Sequence, residues 1–323
     1  MTELYPLRFK PIFKDYLWGG TKLRSVLNKD FETDTAAESW EVSAVEGNVS
    51  VVMNGPLAGK ELQELIDTYQ SELLGEAVFN RFGNMFPILI KFIDANKDLS
   101  VQLHPNDSLA RERHDSFGKT EMWVVMEADE GSELIVGFNK DLSREEYTEA
   151  LESGKLMDIL NREKVGSGDT YFIKAGKVHA IGAGILLAEI QQTSNITYRI
   201  YDYDRKDKDG NTRELHTELS VEAIDYKKKD DYKVRYEEEY NVSNPMVKCD
   251  YFNTNFLNIY GTHTAQLVNR DSFTIYMCIE GQVQLTVNGN SESLTIGETI
   301  LIPANINTVN FSAANAKILE VHL

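Results

Sequence analysis

The chemistry in this chain starts with Gln102 and His104, two positions apart in the run Leu99-Ser100-Val101-Gln102-Leu103-His104-Pro105. Alternate side chains of a strand share a face, so these two point one way, Val101 and Leu103 point the other, and Pro105 ends the ladder. An amide oxygen and an imidazole are thereby presented side by side at a strand end. In Gly118-Lys119-Thr120-Glu121-Met122-Trp123 the same alternation puts Lys119, Glu121 and Trp123 on one face, where Glu121 offers a carboxylate oxygen. A third run opens on Gly168-Asp169, turns at Lys174-Ala175-Gly176 and closes on His179. Gathered on one barrel wall, Gln102, His104, Glu121 and His179 make a mixed nitrogen and oxygen donor set. Such a set suits zinc with one position left open, as in a catalytic site, and iron or manganese accept similar donors. His114, His216, His263 and His322 have no comparable neighbours and read as surface or satisfied core residues.

The third run resembles the second sequence motif of cupins: a Gly starts a strand, a Pro-x-Gly turn follows and a His closes it, with Lys174 here in place of the Pro. The first cupin motif is matched loosely, because Gln102-Leu103-His104 stands where His-x-His is usual. A wider resemblance runs along most of the chain. It is carried by Pro11-Ile12-Phe13-Lys14, Trp18-Gly19-Gly20, Glu38-Ser39-Trp40-Glu41-Val42-Ser43, Asn54-Gly55-Pro56-Leu57 and Lys91-Phe92-Ile93-Asp94. It continues through Gln102-Leu103-His104-Pro105-Asn106-Asp107, Gly118-Lys119-Thr120-Glu121-Met122-Trp123, Glu189-Ile190-Gln191-Gln192 and Thr197-Tyr198-Arg199-Ile200-Tyr201-Asp202. These segments resemble type I mannose-6-phosphate isomerases in their short bacterial form, within the cupin superfamily. The Gln-x-His-Pro and Lys-Thr-Glu motifs are specific and stand in the right order.

The resemblance implies a zinc-dependent enzyme that interconverts mannose 6-phosphate and fructose 6-phosphate. It assigns one zinc per chain to Gln102, His104, Glu121 and His179, makes Arg199 the active-site arginine, and places Lys91, Lys119 and Glu189 at the substrate pocket. One position departs from the pattern: Asn195 stands where the family commonly has Asp. The expectation is that Asn195 orients Arg199 through its amide oxygen rather than carrying a proton.

Aldose–ketose isomerisation through a cis-enediol moves a proton between C1 and C2 of an open-chain sugar. It needs a base, a group that stabilises the enediolate oxygen, and cations that hold the phosphate. Zinc with an open position is a Lewis acid for the oxyanion, and Arg199 and Lys119 are the cations on the motifs nearest it. Lys119 and Glu189 both remain candidates for the base, and Arg199 has Asp202 and Asp204 nearby in sequence as alternative salt-bridge partners. Among the aromatics, Trp18 reads as a pocket edge, and Trp123 and Tyr198 as core packing. Two other readings compete: a non-catalytic sugar-phosphate-binding cupin and a metal-dependent cupin oxygenase. The presence of all four ligands beside Lys119 and Arg199 favours the isomerase.

The elements that must position these residues are mostly strands, at 50–53, 88–93, 122–126, 133–138, 170–174 and 185–191, with a long series after Val247. Helices are predicted over about 60–75, 105–114 and 143–162; the last opens with a capping box from Ser143 to Glu146. The fold class is mainly β with a few helices: two cupin-like jelly-roll β-barrel units, the first carrying the metal site and the helical insertions. Residues 1–240 form the first unit and 241–323 the second, with the charged stretch 226–239 as linker or edge strand. In the second unit 297–305 repeats the cupin turn, Thr308 stands where a ligand His would be, and Gly281 supplies an earlier turn. That half is expected to hold no metal.

A formal net charge of -18 repels phosphate backbones and argues against nucleic-acid binding. It also means that a phosphorylated substrate needs cations concentrated at its own site. No apolar run approaches the roughly 20 residues of a membrane span, and the N-terminal residues show no signal-peptide pattern. Two cysteines, Cys249 and Cys278, read as buried thiols of a cytoplasmic protein.

Overall fold

The computed structural model describes residues 2–206 and 209–323. Two antiparallel sheets carry the first part of the chain. One has six strands in the spatial order Thr170–Ile173, Glu121–Ala128, Ile185–Gln192, Ile88–Ala95, Glu38–Val42 and Ile12–Lys14. The other has five: Leu160–Lys164, Glu133–Phe138, His179–Ile181, Val101–Leu103 and Tyr198–Tyr201. They face each other, since Ile93, Trp123, Tyr171 and Leu187 of the first share an apolar cluster with Leu134, Val136 and Ile181 of the second. The result is a jelly-roll-like double sheet, and its two sheets are not hydrogen-bonded into one closed cylinder.

Every residue of Ile88–Ala95 and of Ile185–Gln192 is buried. Their outward residues, Ile88, Ile90, Phe92, Leu186, Ala188 and Ile190, pack against Leu62, Leu65, Ile66 and Val78 of a helical arm. The same cluster takes in Phe252, Phe273, Ile275 and Leu319 of the C-terminal sheet. Covered on both faces, these strands are mostly apolar, and Lys91, Asp94 and Glu189 are the ionisable residues buried in them. The outer face of the five-stranded sheet is covered by the helices Arg144–Glu152, Leu156–Ile159 and Thr217–Ala223, through Tyr147, Leu156 and Ile224.

The C-terminal sheet runs Ser243–Lys248, Asn253–Gln266, Thr308–His322, Thr274–Val287 and Asn290–Thr295, and Thr299–Ile302 also pairs with Thr274–Val287. It has an apolar interior of its own, with Leu257, Ile259, Cys278, Val309 and Phe311. The stretch 226–239 hugs the six-stranded sheet as an edge segment: the Val234 amide donates to the Thr170 carbonyl at 2.8 Å, and Tyr232 is buried between the sheets.

Several expected boundaries move. The helix predicted over 60–75 is two helices, Leu62–Tyr69 and Ser71–Leu74, and a third, Glu76–Phe82, follows. Gln70 at φ 46° and Gly75 at φ 94° interrupt the run. Gly75 is needed there, because a Cβ would lie 2.2 Å from the Asp271 carbonyl oxygen. The Asp271 carboxylate in turn accepts the Glu76 and Ala77 amides at 2.7 and 3.0 Å, a cap supplied from the loop between Asn253–Gln266 and Thr274–Val287. The Ser143 capping box forms as predicted, but the helix stops at Glu152, and after the short Leu156–Ile159 helix the chain enters a strand at Leu160. The helix near 105–114 is Asp107–His114, capped by Asn106. Gly281 makes no turn: it sits at a register shift inside Thr274–Val287, where a Cβ would be 2.4 Å from the Asn315 carbonyl oxygen. Among the described residues no helix is long and apolar enough to cross a membrane.

Candidate active site

The pairing register brings the chemical residues into rows. Across the six-stranded sheet, Trp40 pairs with Lys91, Lys91 with Glu189, Glu189 with Trp123 and Trp123 with Tyr171. One row along, Glu121 pairs with Gln191. Across the facing sheet, His179 pairs with Gln102 and Gln102 with Arg199. Directly opposed residues of an antiparallel ladder point to the same face. A cavity of about 310 Å3 opens between the two rows, lined among others by Trp18, Lys91, Gln102, Lys119, Glu189 and Arg199.

At its base the ligating atoms of His104, Glu121 and His179 lie within 4.8 Å of one another, and all three residues are buried. Glu121 Oε2 is 3.5 Å from His104 Nε2, and Glu121 Oε1 is 3.4 Å from His179 Nε2. Each imidazole is oriented from behind by a backbone carbonyl: His104 Nδ1 lies 2.7 Å from the Ile196 oxygen and His179 Nδ1 2.8 Å from the Lys177 oxygen. A proton held on Nδ1 by these carbonyls leaves each Nε2 lone pair facing Glu121. Burial, and then the nearby Lys119 ammonium, holds His104 well below the usual histidine range; burial takes His179 down to about 4. Both rings are therefore neutral, the state in which imidazole ligates metal. His179 Nε2 and Glu121 Oε1 are buried without a hydrogen-bond partner among the described residues. Orphaned acceptors of this kind are costly unless something occupies the space between them. The group could hold a metal ion, and Gln102 lines the same cavity with its Oε1 3.2 Å from Ser100 Oγ.

The base is a charged lattice. Lys119 Nζ lies 2.6 Å from Glu121 Oε2, 3.1 Å from His104 Nε2 and 3.4 Å from Glu189 Oε1. Lys91 Nζ lies 3.5 Å from Glu189 Oε2 and 3.4 Å from Glu38 Oε2. Burial pushes the Glu189 carboxyl upward, but the Lys119 and Lys91 charges outweigh it and hold the group below the usual carboxylate range. Burial dominates at Glu121 and pushes it well above that range, against the pull of Lys119.

Sequence relatives match over most of the chain. The description "Phosphomannose isomerase type I, catalytic domain" matches residues 6–135, and "Mannose-6-phosphate isomerase, cupin domain" matches 243–323. The chain is 37% identical over 301 residues to the mannose-6-phosphate isomerase ManA of Bacillus subtilis, covering 92% of this chain and 93% of that one. This chain belongs to the type I phosphomannose isomerase family. It is also 33% identical over 325 residues to the mannose-6-phosphate isomerase of Streptococcus mutans, covering 95% of each. The crystal structure of the Bacillus subtilis mannose 6-phosphate isomerase superposes with a TM-score of 0.89 at 32% identity, over 98% of this chain and 99% of that one.

The structure brings Gln102, His104, Glu121, His179, Lys91, Lys119, Glu189, Arg199 and Trp18 to this one cavity or its base. Asn195 also lines it, but the hydrogen bonds of the Arg199 side chain go elsewhere: Nε donates to Ser100 Oγ at 3.3 Å and Nη1 to the Glu214 carbonyl at 2.9 Å. The expectation that Asn195 orients Arg199 through its amide is therefore corrected. Asp202 does not take Arg199 either; it pairs with Arg205 and Arg213. Trp123 does more than pack: its Nε1 donates to Glu189 Oε1 at 3.4 Å and its ring stands edge-on to His179. His114 and His216 are satisfied around Tyr198, as read.

Glu38, Ser100, Tyr16 and Arg213 were missed. Alternation from Trp40 would have put Glu38 on the Lys91 side of its strand, and Ser100 on the side of Gln102. Arg213 carries no local signal; it arrives with the segment that runs beside Arg199, whose carbonyl accepts the His216 amide at 2.7 Å.

Proposed function

We propose that the chain is a zinc-dependent isomerase that interconverts mannose 6-phosphate and fructose 6-phosphate in the cytoplasm. The observation that carries this reading is the buried His104–Glu121–His179 group, with orphaned acceptors, at the base of a cavity lined by Lys91, Lys119, Glu189 and Arg199. The named activity of the relatives points the same way.

Gln102, His104, Glu121 and His179 would hold the zinc, one per chain, and residues 1–240 form the unit that carries it. Two nitrogens and two oxygens suit that ion. Zinc there supplies a Lewis acid that stabilises charge on the sugar oxygen at the reacting carbons. The chain's own residues do the rest. Lys119 Nζ and Glu189 Oε1, 3.4 Å apart, form the pair that carries the proton between C1 and C2. Lys91 and Trp123 fix Glu189 from its two sides. Glu38 holds Lys91 while accepting the Trp40 Nε1 hydrogen at 2.5 Å, so the base sits in a rigid lattice. Arg199, tied back by Ser100 and Glu214, presents its guanidinium to the oxygens of the open-chain sugar. Trp18 is buried against the cavity and excludes water from that side. Residues 241–323 support this unit by packing and hold no metal.

The test is metal content of purified protein, followed by turnover of mannose 6-phosphate before and after chelation. About one zinc per chain, with turnover lost on chelation and restored by zinc, is the expected result. Tight zinc without turnover would leave a sugar-phosphate-binding cupin; iron with oxygen uptake would make the chain an oxygenase.

A further inference from the structure

The cations of the cavity fall into two groups with different charge balance. At the base, Lys91 and Lys119 face Glu38, Glu121 and Glu189, so the lysines are matched by carboxylates. On the other side of the cavity, at its mouth, Arg199 and Arg213 line the wall, and the buried carboxylate Asp202 pairs with Arg213 and, behind it, with Arg205. Among the described residues Arg199 has no carboxylate partner within salt-bridge distance, and the exposed Glu214 carboxylate lies 3.9 Å from His216. The positive surplus of the site is therefore at its mouth.

Arg213 is built for that place. Asp202 accepts its Nε at 2.8 Å and its Nη2 at 2.5 Å, a fork that fixes the guanidinium plane. Among the described residues its Nη1 makes no hydrogen bond, and Arg213 lines the cavity beside Arg199, Asn195 and Thr197. Arg205 braces the same carboxylate, with Nη2 2.5 Å from Asp202 Oδ1. In a protein of net charge -18, a guanidinium fixed by such a fork in the wall of a cavity is suited to an incoming dianion.

We propose that Arg213 is a specificity-determining residue that grips the phosphate end of the substrate at the cavity mouth, with Asp202 as its positioning residue. The inference rests on the sugar-phosphate reading above and adds an orientation to it: phosphate toward Arg213, reacting carbons toward Lys119 and Glu189.

The test uses zinc-loaded full-length protein and the variants Arg213→Gln, Arg213→Lys and Asp202→Asn. Two quantities are read: binding of inorganic phosphate by calorimetry, and steady-state kinetics with mannose 6-phosphate. Arg213→Gln is expected to weaken phosphate binding about 10- to 100-fold and raise KM by a similar factor, with a smaller fall in kcat. Arg213→Lys keeps the charge but loses the fork, and recovers part of the loss. Asp202→Asn leaves Arg213 unfixed and shifts KM in the same direction by less. Unchanged phosphate binding and KM in Arg213→Gln overturn the proposal, as does a fall in kcat alone. If wild-type protein shows no turnover but binds phosphate through Arg213, the isomerase reading fails and the anion site stands. If wild-type protein turns over the sugar phosphate and Arg213→Gln matches it, the isomerase reading stands and the anion site fails.

Discussion

Glu121 in the first half and Glu320 in the second are both buried carboxylates on central strands, and they are treated in opposite ways. Glu320 is closed. Its Oε1 accepts the Tyr276 hydroxyl at 3.0 Å; its Oε2 accepts Ser243 Oγ at 2.5 Å and Asn255 Nδ2 at 2.9 Å and lies 2.7 Å from Arg270 Nη2. Burial pushes this carboxyl upward, but Arg270 and the hydrogen bonds outweigh it, and Glu320 is held below the usual range. Glu121 is open. Its Oε1 has no hydrogen-bond partner among the described residues, two neutral imidazoles face it, and burial pushes its carboxyl up. A satisfied buried charge specifies packing, whereas an unsatisfied one in a cavity marks a place where a ligand completes the structure. The two halves share a sheet architecture and part of one core, and they differ in whether the buried polar groups were left open.

The largest break in that comparison comes from the open carboxylate. Glu121→Gln is expected to abolish tight zinc retention and lower turnover on the order of 1,000-fold, since a Lewis acid contributes several kcal/mol to such a step; metal analysis and kinetics on the same sample check both. The fold should survive, as judged by an unchanged unfolding midpoint of the metal-free protein.

Glu320→Ala should do the reverse. Leaving Arg270 unpaired costs about 3 kcal/mol of stability, read by urea unfolding, while turnover per folded molecule stays near wild type because the residue is remote from the site. The pH dependence follows the same sign. Glu320 has its carboxyl held low in the folded state, so its contribution is present above the unfolded carboxylate pKa of about 4.3. It is lost as pH falls through the lower folded value. Thermal unfolding between neutral pH and about pH 3 should therefore fall more steeply in wild type than in Glu320→Gln.

Gly281→Ala forces a Cβ against the Asn315 carbonyl at φ 75°, and should cost about 2 kcal/mol without touching zinc content. The smallest effect expected is that of Ser100→Ala. It removes one hydrogen bond to Arg199 and should lower kcat/KM about fivefold, the equivalent of roughly 1 kcal/mol, with metal content unchanged. A larger loss would mean that Ser100 also fixes Gln102, whose Oε1 it reaches at 3.2 Å.

The sequence by itself determined the strand-borne residues. Gln102, His104 and Glu121 lie in short motifs whose side chains alternate, so the face each one takes follows from its spacing. The mainly β class and the Ser143 capping box were legible in the same way, whereas Lys91 and Glu189 entered only through the family resemblance. Tertiary structure alone decided the partners. Strand register, set by burial of both faces and by the connecting turns, placed Lys91, Glu189 and Trp123 in one row and set Glu121 against His104 and His179. It gave Arg199 to Ser100 and Glu214 in place of Asn195, and it brought Arg213 to the mouth from a loop with no motif. It also broke the first predicted helix at Gln70 and Gly75, where that arm docks on Asp271 in the loop between Asn253–Gln266 and Thr274–Val287. Local patterns encode which face a side chain takes. Which groups meet across the cavity depends on contacts far apart in the chain, and no short stretch of sequence holds that information.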